Sequence, residues 1–269
     1  MNQEYKHIET LTRAYSGYSF EEQETTTLFQ NDVKSKFLDT PQRNELLNHL
    51  NTLLQDTGFE KSETLLVDIQ TLQNQKVDVQ DFRIGEALAE VVLEKNLKCR
   101  FYWNELRDAR NPKGNKAGAD LVGFVEIENY VLFLFGEVKT SSEQQSPPQV
   151  MTNPAGMEKQ LLDLYCNKDK RLILISYIQN KLNLNNNTNF KNDFYAAIKQ
   201  YYTKNVCNYI LYGILVRDTK PDENDLKSSY EKLKKEISKN AGLNLLALYV
   251  PIPKNEWLTI INEESNDIN

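Results

Sequence analysis

The stretch of sequence that decides the fold is GADLVGFVEIENYVLFLFGEVKT, residues 118–140. Two apolar runs flank the polar pair Glu128 and Asn129, and this pattern predicts an antiparallel β-hairpin with its turn at the pair. A turn at this place makes Ile127 face Tyr130 across the two strands. The sequence therefore predicts two neighbouring strands whose free ends, far from the turn, carry polar residues.

The polar residues at the free ends are Asp120 on the first strand and Glu137 and Lys139 on the second. Counting outward from the turn places Asp120 opposite Glu137, and directly opposed residues have Cβ atoms roughly 4.5–5.5 Å apart. Side chains alternate along a strand, so Glu137 and Lys139 point the same way. An Asp, a Glu and a Lys are therefore expected to converge at one end of a sheet.

Two carboxylates this close need a compensating positive charge, because Phe124, Phe133 and Phe135 surround them with apolar groups. One interpretation is structural: Lys139 alone neutralises them in a buried ion pair that closes the hairpin. The other is functional: a hard divalent metal ion binds between the carboxylates, because such ions take carboxylate and carbonyl oxygens and suit phosphate chemistry. In that case the peptide carbonyl of Val138 is a candidate third ligand.

This arrangement resembles the signature of the PD-(D/E)xK nuclease superfamily, with Asp120, a variable gap, and Glu137 and Lys139 as Glu-x-Lys. Ala119 stands where the superfamily usually has Pro. The resemblance implies an α/β fold with a restriction-endonuclease-like core, in which a mixed central sheet is flanked by helices. It also implies metal-dependent hydrolysis of DNA, with Mg²⁺ or Mn²⁺ bound by Asp120 and Glu137 and with Lys139 orienting the attacking water.

A predicted helix precedes the hairpin at residues 81–94. Nucleases of this superfamily often add a metal-binding Glu from such a helix, so the resemblance implies that Glu86 or Glu90 has this role. The two residues lie four apart on one helical face. Glu86 is the preferred candidate, because about three helical turns then separate it from the strand expected at residues 99–103, and Glu90 is the alternative.

A second predicted helix follows the hairpin at residues 156–165. Its Gln160 and Tyr165 are similar to the Gln and Tyr that follow the Glu-x-Lys strand in exonuclease-like members of the superfamily. The gap between them is one residue longer here than in the usual pattern. The resemblance implies that Gln160 supports the metal site or contacts a phosphate.

Four segments together are similar to the HamA family, the nuclease subunits of the Hachiman anti-phage defence system: residues 83–90, 110–113, 118–124 and 135–142. The similarity covers residues 79–170. It implies a partner, a superfamily 2 type helicase subunit similar to HamB, which restrains the nuclease until ATP-driven movement on DNA releases it. The helices predicted at residues 43–54 and 222–239 are candidate contact surfaces for this partner.

Two other functions remain open from the sequence. The chain is alternatively an autonomous restriction-type or repair-type endonuclease, although it shows no appended domain for reading a DNA sequence. The third possibility is a nuclease-like structural subunit that binds DNA without cutting it. The intact Asp120, Glu137 and Lys139 argue against this third function.

The composition narrows the class of protein. With 40% hydrophobic and 26% charged residues, the chain is typical of globular proteins, and its longest apolar run is far too short to span a bilayer. No signal-peptide profile precedes the first helix, so we expect a cytoplasmic protein without a membrane partner or a small-molecule substrate. Three unpaired cysteines predict neither disulfides nor structural zinc, and His7 and His49 are too few for a histidine-based metal site.

The charge distribution points to a local DNA contact. The net charge of -6 argues against binding DNA by overall electrostatics, since phosphate affinity comes from clustered Lys and Arg. Residues 98–116, however, contain six basic and two acidic residues, a local charge of +4, and run directly into Asp120. Arg107, Arg110, Lys113 and Lys116 are therefore candidate phosphate contacts. The alternative is an ordinary solvated loop.

Strand and helix patterns alternate after the hairpin, which predicts an α/β sandwich with a mixed sheet covered on both faces. Residues 79–269 are expected to form this nuclease core, and residues 1–78 an N-terminal extension that begins with strand or irregular structure and continues with helices. Residues 141–154, rich in Pro, Ser and Gln, are expected to form a loop beside the site, either a lid or strand guide or an inert connector. Further elements are expected as helices at 43–54, 60–75, 192–202 and 222–239 and strands at 208–216 and 243–252.

Overall fold

Seven β-strands form one mixed sheet in the computed structural model, which describes residues 1–103 and 118–263. In chain order they are β1 (Asn2–Thr10), β2 (Arg13–Ser19), β3 (Cys99–Arg100), β4 (Leu121–Ile127), β5 (Tyr130–Ser141), β6 (Tyr209–Arg217) and β7 (Ala241–Tyr249). Across the sheet the order is β1-β2-β7-β6-β5-β4-β3. The neighbours β2, β7, β6 and β5 run parallel, whereas β1 with β2, β5 with β4 and β4 with β3 are antiparallel.

Helices cover both faces of this sheet. They are α1 (Glu22–Leu28), α2 (Lys34–Leu38), α3 (Thr40–Gln55), α4 (Glu63–Gln73), α5 (Asp81–Asn96), α6 (Gln149–Thr152), α7 (Met157–Cys166), α8 (Lys168–Asn183), α9 (Thr188–Tyr201), α10 (Asn224–Glu236) and α11 (Trp257–Asn262). A π-helix, Phe29–Val33, joins α1 to α2, and a 3₁₀ helix, Lys254–Glu256, precedes α11. The predicted α/β architecture with a mixed sheet flanked by helices is confirmed.

Two apolar cores lie on opposite sides of the sheet. On one side α5 buries Ile84, Leu88 and Val91, which recur at the spacing of one helical face, against the strands together with the π-helix and α11. On the other side α7, α8, α9 and α10 pack against the side chains of β4 to β7 that point the opposite way. The strands are therefore apolar on both faces, as their nearly continuous hydrophobic runs predict.

The central hairpin has the predicted turn and register. Ile127 pairs with Tyr130, and the pairing continues outward to Leu121 and Gly136. Glu128, in the turn, has a positive φ of 54°, which a hairpin turn requires and Glu rarely adopts. The alternation of apolar residues on two buried faces fixes the register, because a slip by one residue would exchange the two faces.

The first 40 residues are more regular than expected. The predicted strand structure is confirmed at β1 and β2. Residues 22–38, however, form a helical segment that was not predicted from the sequence. β2 pairs in parallel with β7, from Arg13 opposite Leu243 to Ser19 opposite Tyr249. The sheet therefore contains strands from both sides of the domain boundary predicted at residue 78.

The remaining elements differ from the predictions mainly in their ends. The six helices expected outside the hairpin are all present, as are the strands expected at 208–216 and 243–252, with ends shifted by a few residues. The strand expected at residues 99–103 is limited to Cys99–Arg100. The segment 141–154 is a loop that contains the short helix α6. Within residues 1–103 and 118–263, no helix is both long and apolar enough to cross a bilayer.

Candidate functional site

The candidate site lies where β4 begins and β5 approaches its end. Asp120 directly precedes β4, and the register that pairs Leu121 with Gly136 brings it to the next position on β5. The backbone N–H of Val138 donates a hydrogen bond of 2.9 Å to Asp120 Oδ2. The hairpin thus brings the Asp120 carboxylate beside the segment from Glu137 to Lys139, as the turn predicted.

Glu137 and Lys139 form an ion pair at this end of β5. The Lys139 Nζ lies 2.6 Å from Glu137 Oε1, and their side chains are 21% and 8% exposed. Glu137 follows Phe133 and Phe135 on the same side of the strand, where both rings are fully buried. Apolar groups exclude water from Glu137. Among the contacts seen, it is the Lys139 ammonium that compensates the negative charge of the Glu137 carboxylate. The ion pair therefore agrees with the structural interpretation, in which Lys139 neutralises the carboxylate. A metal ion would bind at a site whose glutamate already has a positively charged partner.

Helix α5 contacts β5 close to this ion pair. A Cβ atom placed on Gly85 would collide with Thr140 Oγ1, so glycine at this position lets α5 come this near to β5 without a shift of Thr140. The next residue, Glu86, is almost buried, and its Oε2 accepts a hydrogen bond of 2.8 Å from Arg83 Nη1. Arg83 is itself 2% exposed. An isolated Gly within a helical pattern is the sequence signal that marks such a close approach.

Glu90 has a different role from Glu86 in the structure. It forms an ion pair with Lys36 of α2, and Lys36 Nζ also lies 2.8 Å from Glu94 Oε2. Burial lowers the pKa of Lys36, but the two carboxylates outweigh burial and raise it above its ordinary value. Glu90 therefore fastens α5 to α2, and Glu86 remains the better candidate for the metal site.

Glu86 and Glu137 approach the sheet from opposite faces. Val138 belongs to the core under α5, so by strand alternation Glu137 and Lys139 point to the other face. Within residues 1–103 and 118–263, no group of three or more His, Cys, Asp or Glu side chains comes together in a way that would hold a metal ion. Asp120 and Glu137 are the two acidic residues at this end of the hairpin, and the ligand role of Glu86 stays a prediction.

Helix α7 lies on the same face as Glu137. A Cβ on Gly213, which pairs with Glu137, would lie 2.9 Å from Met157 Sδ of α7. Glu158 contacts α10 through a hydrogen bond of 2.8 Å from Ser229 Oγ, on the side of α7 toward β7. Gln160 is two residues further, roughly 200° around the helix axis, and so lies on the side of α7 away from Glu158 and α10. This orientation is compatible with the role predicted for Gln160.

Tyr165 does not join the site. Its hydroxyl donates to Ser238 Oγ at 3.0 Å and accepts from the Ser238 N–H at 3.2 Å. Ser238 precedes β7, and because β5, β6 and β7 are parallel this is the end of the sheet opposite to Lys139.

None of the predicted DNA contacts falls within the described part of the chain, since Arg107, Arg110, Lys113 and Lys116 all lie outside it. Of the basic strip at residues 98–116, Lys98 and Arg100 are described. Arg100 donates hydrogen bonds of 2.8 Å to Glu126 and 2.6 Å to Asp193. Glu126 is near the turn of the hairpin, so Arg100 serves the packing of α9 on β4 and not the end that carries Asp120.

A buried polar network that the sequence did not reveal fixes the loop after β5. Arg217, at the end of β6, forms an ion pair with Asp225 of α10 and donates to the backbone carbonyls of Glu143 and Gln145. Asp225 also accepts hydrogen bonds from Ser146 Oγ at 2.7 Å and from the Tyr249 hydroxyl at 2.9 Å. This loop is therefore a fixed wall beside the site. No local sequence pattern marks these partners, because they come from four separate segments.

The ligands offered by the site are oxygen atoms: the carboxylates of Asp120 and Glu137 and nearby peptide carbonyls. Such a set fits hard divalent cations such as Mg²⁺ and Mn²⁺ and does not fit zinc or copper, which prefer nitrogen and sulfur. The described cysteines do not compete as ligands here; burial raises the pKa of the Cys99 thiol to about 12, so it stays protonated at neutral pH.

No protein-family model matches this chain, and no curated protein matches its sequence. The chemistry that the site performs has to be inferred from the residues described above.

Proposed function

We propose that this protein is a metal-dependent nuclease that hydrolyses phosphodiester bonds in DNA, built on a PD-(D/E)xK core. The observation that carries the proposal is the geometry at the free end of the hairpin. There, Asp120 accepts a hydrogen bond from Val138 N–H while Glu137 and Lys139 form an ion pair one residue to either side. An acidic pair with an adjacent ammonium at the open end of a rigid sheet supports phosphate chemistry.

Each residue has a role in this proposal. Asp120 and Glu137 would bind Mg²⁺ or Mn²⁺, with the Val138 carbonyl and Glu86 as further candidate ligands. The bound ion would polarise the scissile phosphate and lower the pKa of a water molecule. Lys139 orients the attacking water and offsets negative charge that develops on the phosphoryl oxygens, an effect strengthened where apolar neighbours exclude water.

DNA would reach the site along the basic strip. Arg107, Arg110, Lys113 and Lys116 precede Asp120 in the chain and would contact the phosphate backbone, with Gln160 of α7 as a further contact. Phosphate contacts position the duplex without reading its sequence. We therefore propose that cleavage is independent of sequence.

We further propose a helicase partner, on the basis of the resemblance to the HamA family. A nuclease that cuts without regard to sequence has to be restrained in its own cell, and an acidic chain gains DNA affinity from a partner. Of the two candidate contact helices, α10 buries Leu226, Tyr230 and Leu233 in the core, whereas Leu46 of α3 is 45% exposed. The helical pair α3 and α4 is therefore the favoured contact surface.

Cleavage assays on linear and circular DNA of random sequence, with Mg²⁺, Mn²⁺ or EDTA, test the nuclease itself. We expect metal-dependent degradation that Glu137→Gln and Lys139→Ala abolish. Lys232→Ala is a matched control, because Lys232 also faces a glutamate, at 3.3 Å, but lies on α10. Discrete fragments would favour a restriction-type enzyme. Absence of cleavage, alone and with any partner, would favour the structural DNA-binding subunit.

Coexpression with the neighbouring genes tests the partner. Mass photometry should show a stable complex of this chain with a helicase, and DNA cleavage by the complex should require ATP. A monomer that ignores the helicase and cuts DNA freely without ATP would exclude restraint by a partner while leaving the nuclease proposal intact.

A further inference from the structure

A polar cleft of about 700 Å³ lies between the π-helix, α2, the start of α3 and the segment that follows α4, and no residue of the hairpin is among those that line it. Its lining is rich in amides and hydroxyls: Gln30, Asn31, Ser35, Thr40, Gln73, Asn74 and Gln75. The protein has a net negative charge. Nevertheless three cations, Lys34, Arg43 and Lys76, line this one cleft.

Among the described residues that line the cleft, the one acidic side chain is already neutralised. Asp32 Oδ2 lies 2.7 Å from Lys95 Nζ of α5. Lys34 Nζ contacts the Glu263 backbone carbonyl at 3.3 Å. Because a carbonyl has no net charge, this contact does not neutralise the Lys34 ammonium. The Arg43 Nε is buried and has no hydrogen-bond partner among the described residues. A buried guanidinium nitrogen without a partner is costly, so a ligand that accepts its hydrogen bond would be favoured.

The backbone around the cleft favours an anion as well. Helix α3 begins at Thr40 on the cleft wall, and its first turn has no side-chain cap. Pro41 in this turn has no N–H, so the remaining backbone N–H groups and the positive end of the helix dipole attract negative charge. The three cations and the start of α3 therefore both favour an anionic ligand in the cleft.

The π-helix gives an independent indication of function. π-helical turns are rare and occur frequently at functional sites, because the wider turn is retained only where it is used. Here Phe29 and Val33 are fully buried, and Phe29 packs against Trp257 with ring centroids 5.7 Å apart. The intervening Gln30, Asn31 and Asp32 line the cleft. The π-turn thus presents three consecutive polar side chains to one cavity.

We propose that this cleft binds a small phosphorylated ligand of the nucleotide class. The phosphate groups contact Arg43, Lys34, Lys76 and the start of α3, and the amide side chains of the π-helix and of residues 73–75 contact the rest of the ligand. The Asn262 side chain steadies the wall, since its Oδ1 accepts from Val77 N–H at 2.8 Å and its Nδ2 donates to the Val77 carbonyl at 2.9 Å. The site is separate from the candidate nuclease site and does not depend on it.

Isothermal titration calorimetry of the full chain in EDTA tests this site with ATP, inorganic pyrophosphate and adenosine as probes. ATP and pyrophosphate should bind and adenosine should not. Arg43→Gln and Lys76→Gln should each weaken ATP binding about tenfold, the loss of one charge-assisted hydrogen bond. Lys61→Gln is the matched control, because Lys61 lies between α3 and α4 outside the cleft lining, and it should bind ATP as the wild type does.

Three results would overturn the proposal: no ATP binding at millimolar concentration, equal affinity in Lys76→Gln and wild type, or loss of binding in Lys139→Met. The last result would assign the nucleotide to the candidate nuclease site. Lys76 is exposed, so its variant tests the site even if Arg43→Gln does not fold. DNA cleavage by the nuclease is assayed separately, and its absence would not affect these binding results.

Discussion

Two ion pairs lie at the same end of the sheet, on neighbouring strands, and they differ in how their charges are satisfied. Arg217 and Asp225 are 1% and 0% exposed, and loop carbonyls, Ser146 and Tyr249 provide further hydrogen bonds. Glu137 and Lys139 are 8% and 21% exposed and lie beside a second carboxylate. In the register of β5 with β6, Lys139 and Arg217 are only two residues apart along the strands, since Lys139 pairs with Leu215 and Ser141 with Arg217.

The difference separates a structural pair from a reactive one. A charge that is surrounded by protein partners cannot exchange them for a substrate without losing stability. Lys139 keeps part of its surface in water, and solvent or a phosphate can therefore reach it. The buried ion pair of Arg217 and Asp225, with its hydrogen bonds to the loop, keeps the adjacent loop fixed, so that the partly exposed pair keeps its geometry.

The largest expected effect is on stability, from Asp225→Ala. This change leaves the Arg217 guanidinium buried without its carboxylate, and breaking such a pair costs about 3–5 kcal/mol of unfolding free energy. Urea unfolding followed by circular dichroism measures the loss. Glu231→Ala, on the same helix, removes an exposed partner of Lys234 and should leave the midpoint unchanged. Equal midpoints for the two variants would show that burial does not distinguish the pairs.

The second effect is on activity, from Lys139→Met, which retains the apolar stem and removes the charge. Loss of a group that stabilises developing negative charge typically lowers the rate about 10²–10³-fold. The loss of stability should be smaller than for Asp225→Ala, because Lys139 is partly exposed. Initial rates of plasmid degradation and urea midpoints measure both. A variant that cuts at the wild-type rate would assign the pair a purely structural role.

The third prediction concerns the close approach of α5 to the end of β5 that carries Glu137 and Lys139. In Gly85→Ala the new methyl group collides with Thr140 Oγ1, and overpacking of this kind costs about 1–3 kcal/mol. Adding Thr140→Ala removes the colliding atom, and the double variant should recover the stability of Thr140→Ala alone. Thermal unfolding of the four proteins forms a double-mutant cycle. Additive losses would mean that the two residues do not touch.

The smallest effect separates the two glutamates of α5. Glu86→Gln should raise the Mg²⁺ concentration needed for half-maximal cleavage about tenfold, as expected for a group that binds or orients a metal ligand. Glu90→Gln should leave the metal titration unchanged and lower only the melting temperature, because Glu90 pairs with Lys36. Identical titration curves would remove Glu86 from the site.

The hairpin was predictable because its information is local. Alternation of apolar residues around Glu128 and Asn129 determines the turn and the register, and these two bring Asp120 beside Val138. Strands alternate by two residues regardless of what lies around them, so Glu137 and Lys139 were correctly placed on one side. The predicted α/β class followed from the order of strands and helices.

The other features of the fold and of the site depend on contacts between segments that are far apart in the sequence. No pattern in residues 13–19 indicates that β2 pairs with residues 243–249, because a strand sequence does not specify its partner. The face of the sheet that α5 covers was not determined either, and therefore the distance of Glu86 from the carboxylates was open. The helical segment at residues 22–38 was missed because a π-turn shifts its apolar spacing away from the ordinary helical period.

The pairing of β2 with β7 has a consequence for how the chain folds. Arg13 lies opposite Leu243, and its guanidinium also donates to the carbonyls of Ile237 at 2.7 Å and Ala241 at 3.0 Å. During synthesis, the hairpin of β1 and β2 has no further strand to pair with until β7 has left the ribosome. Closure of so long a loop is slow, and an unpaired hairpin is prone to association with other chains. Residues 1–19 therefore remain open to association with other chains until the C-terminal part of the sheet is made.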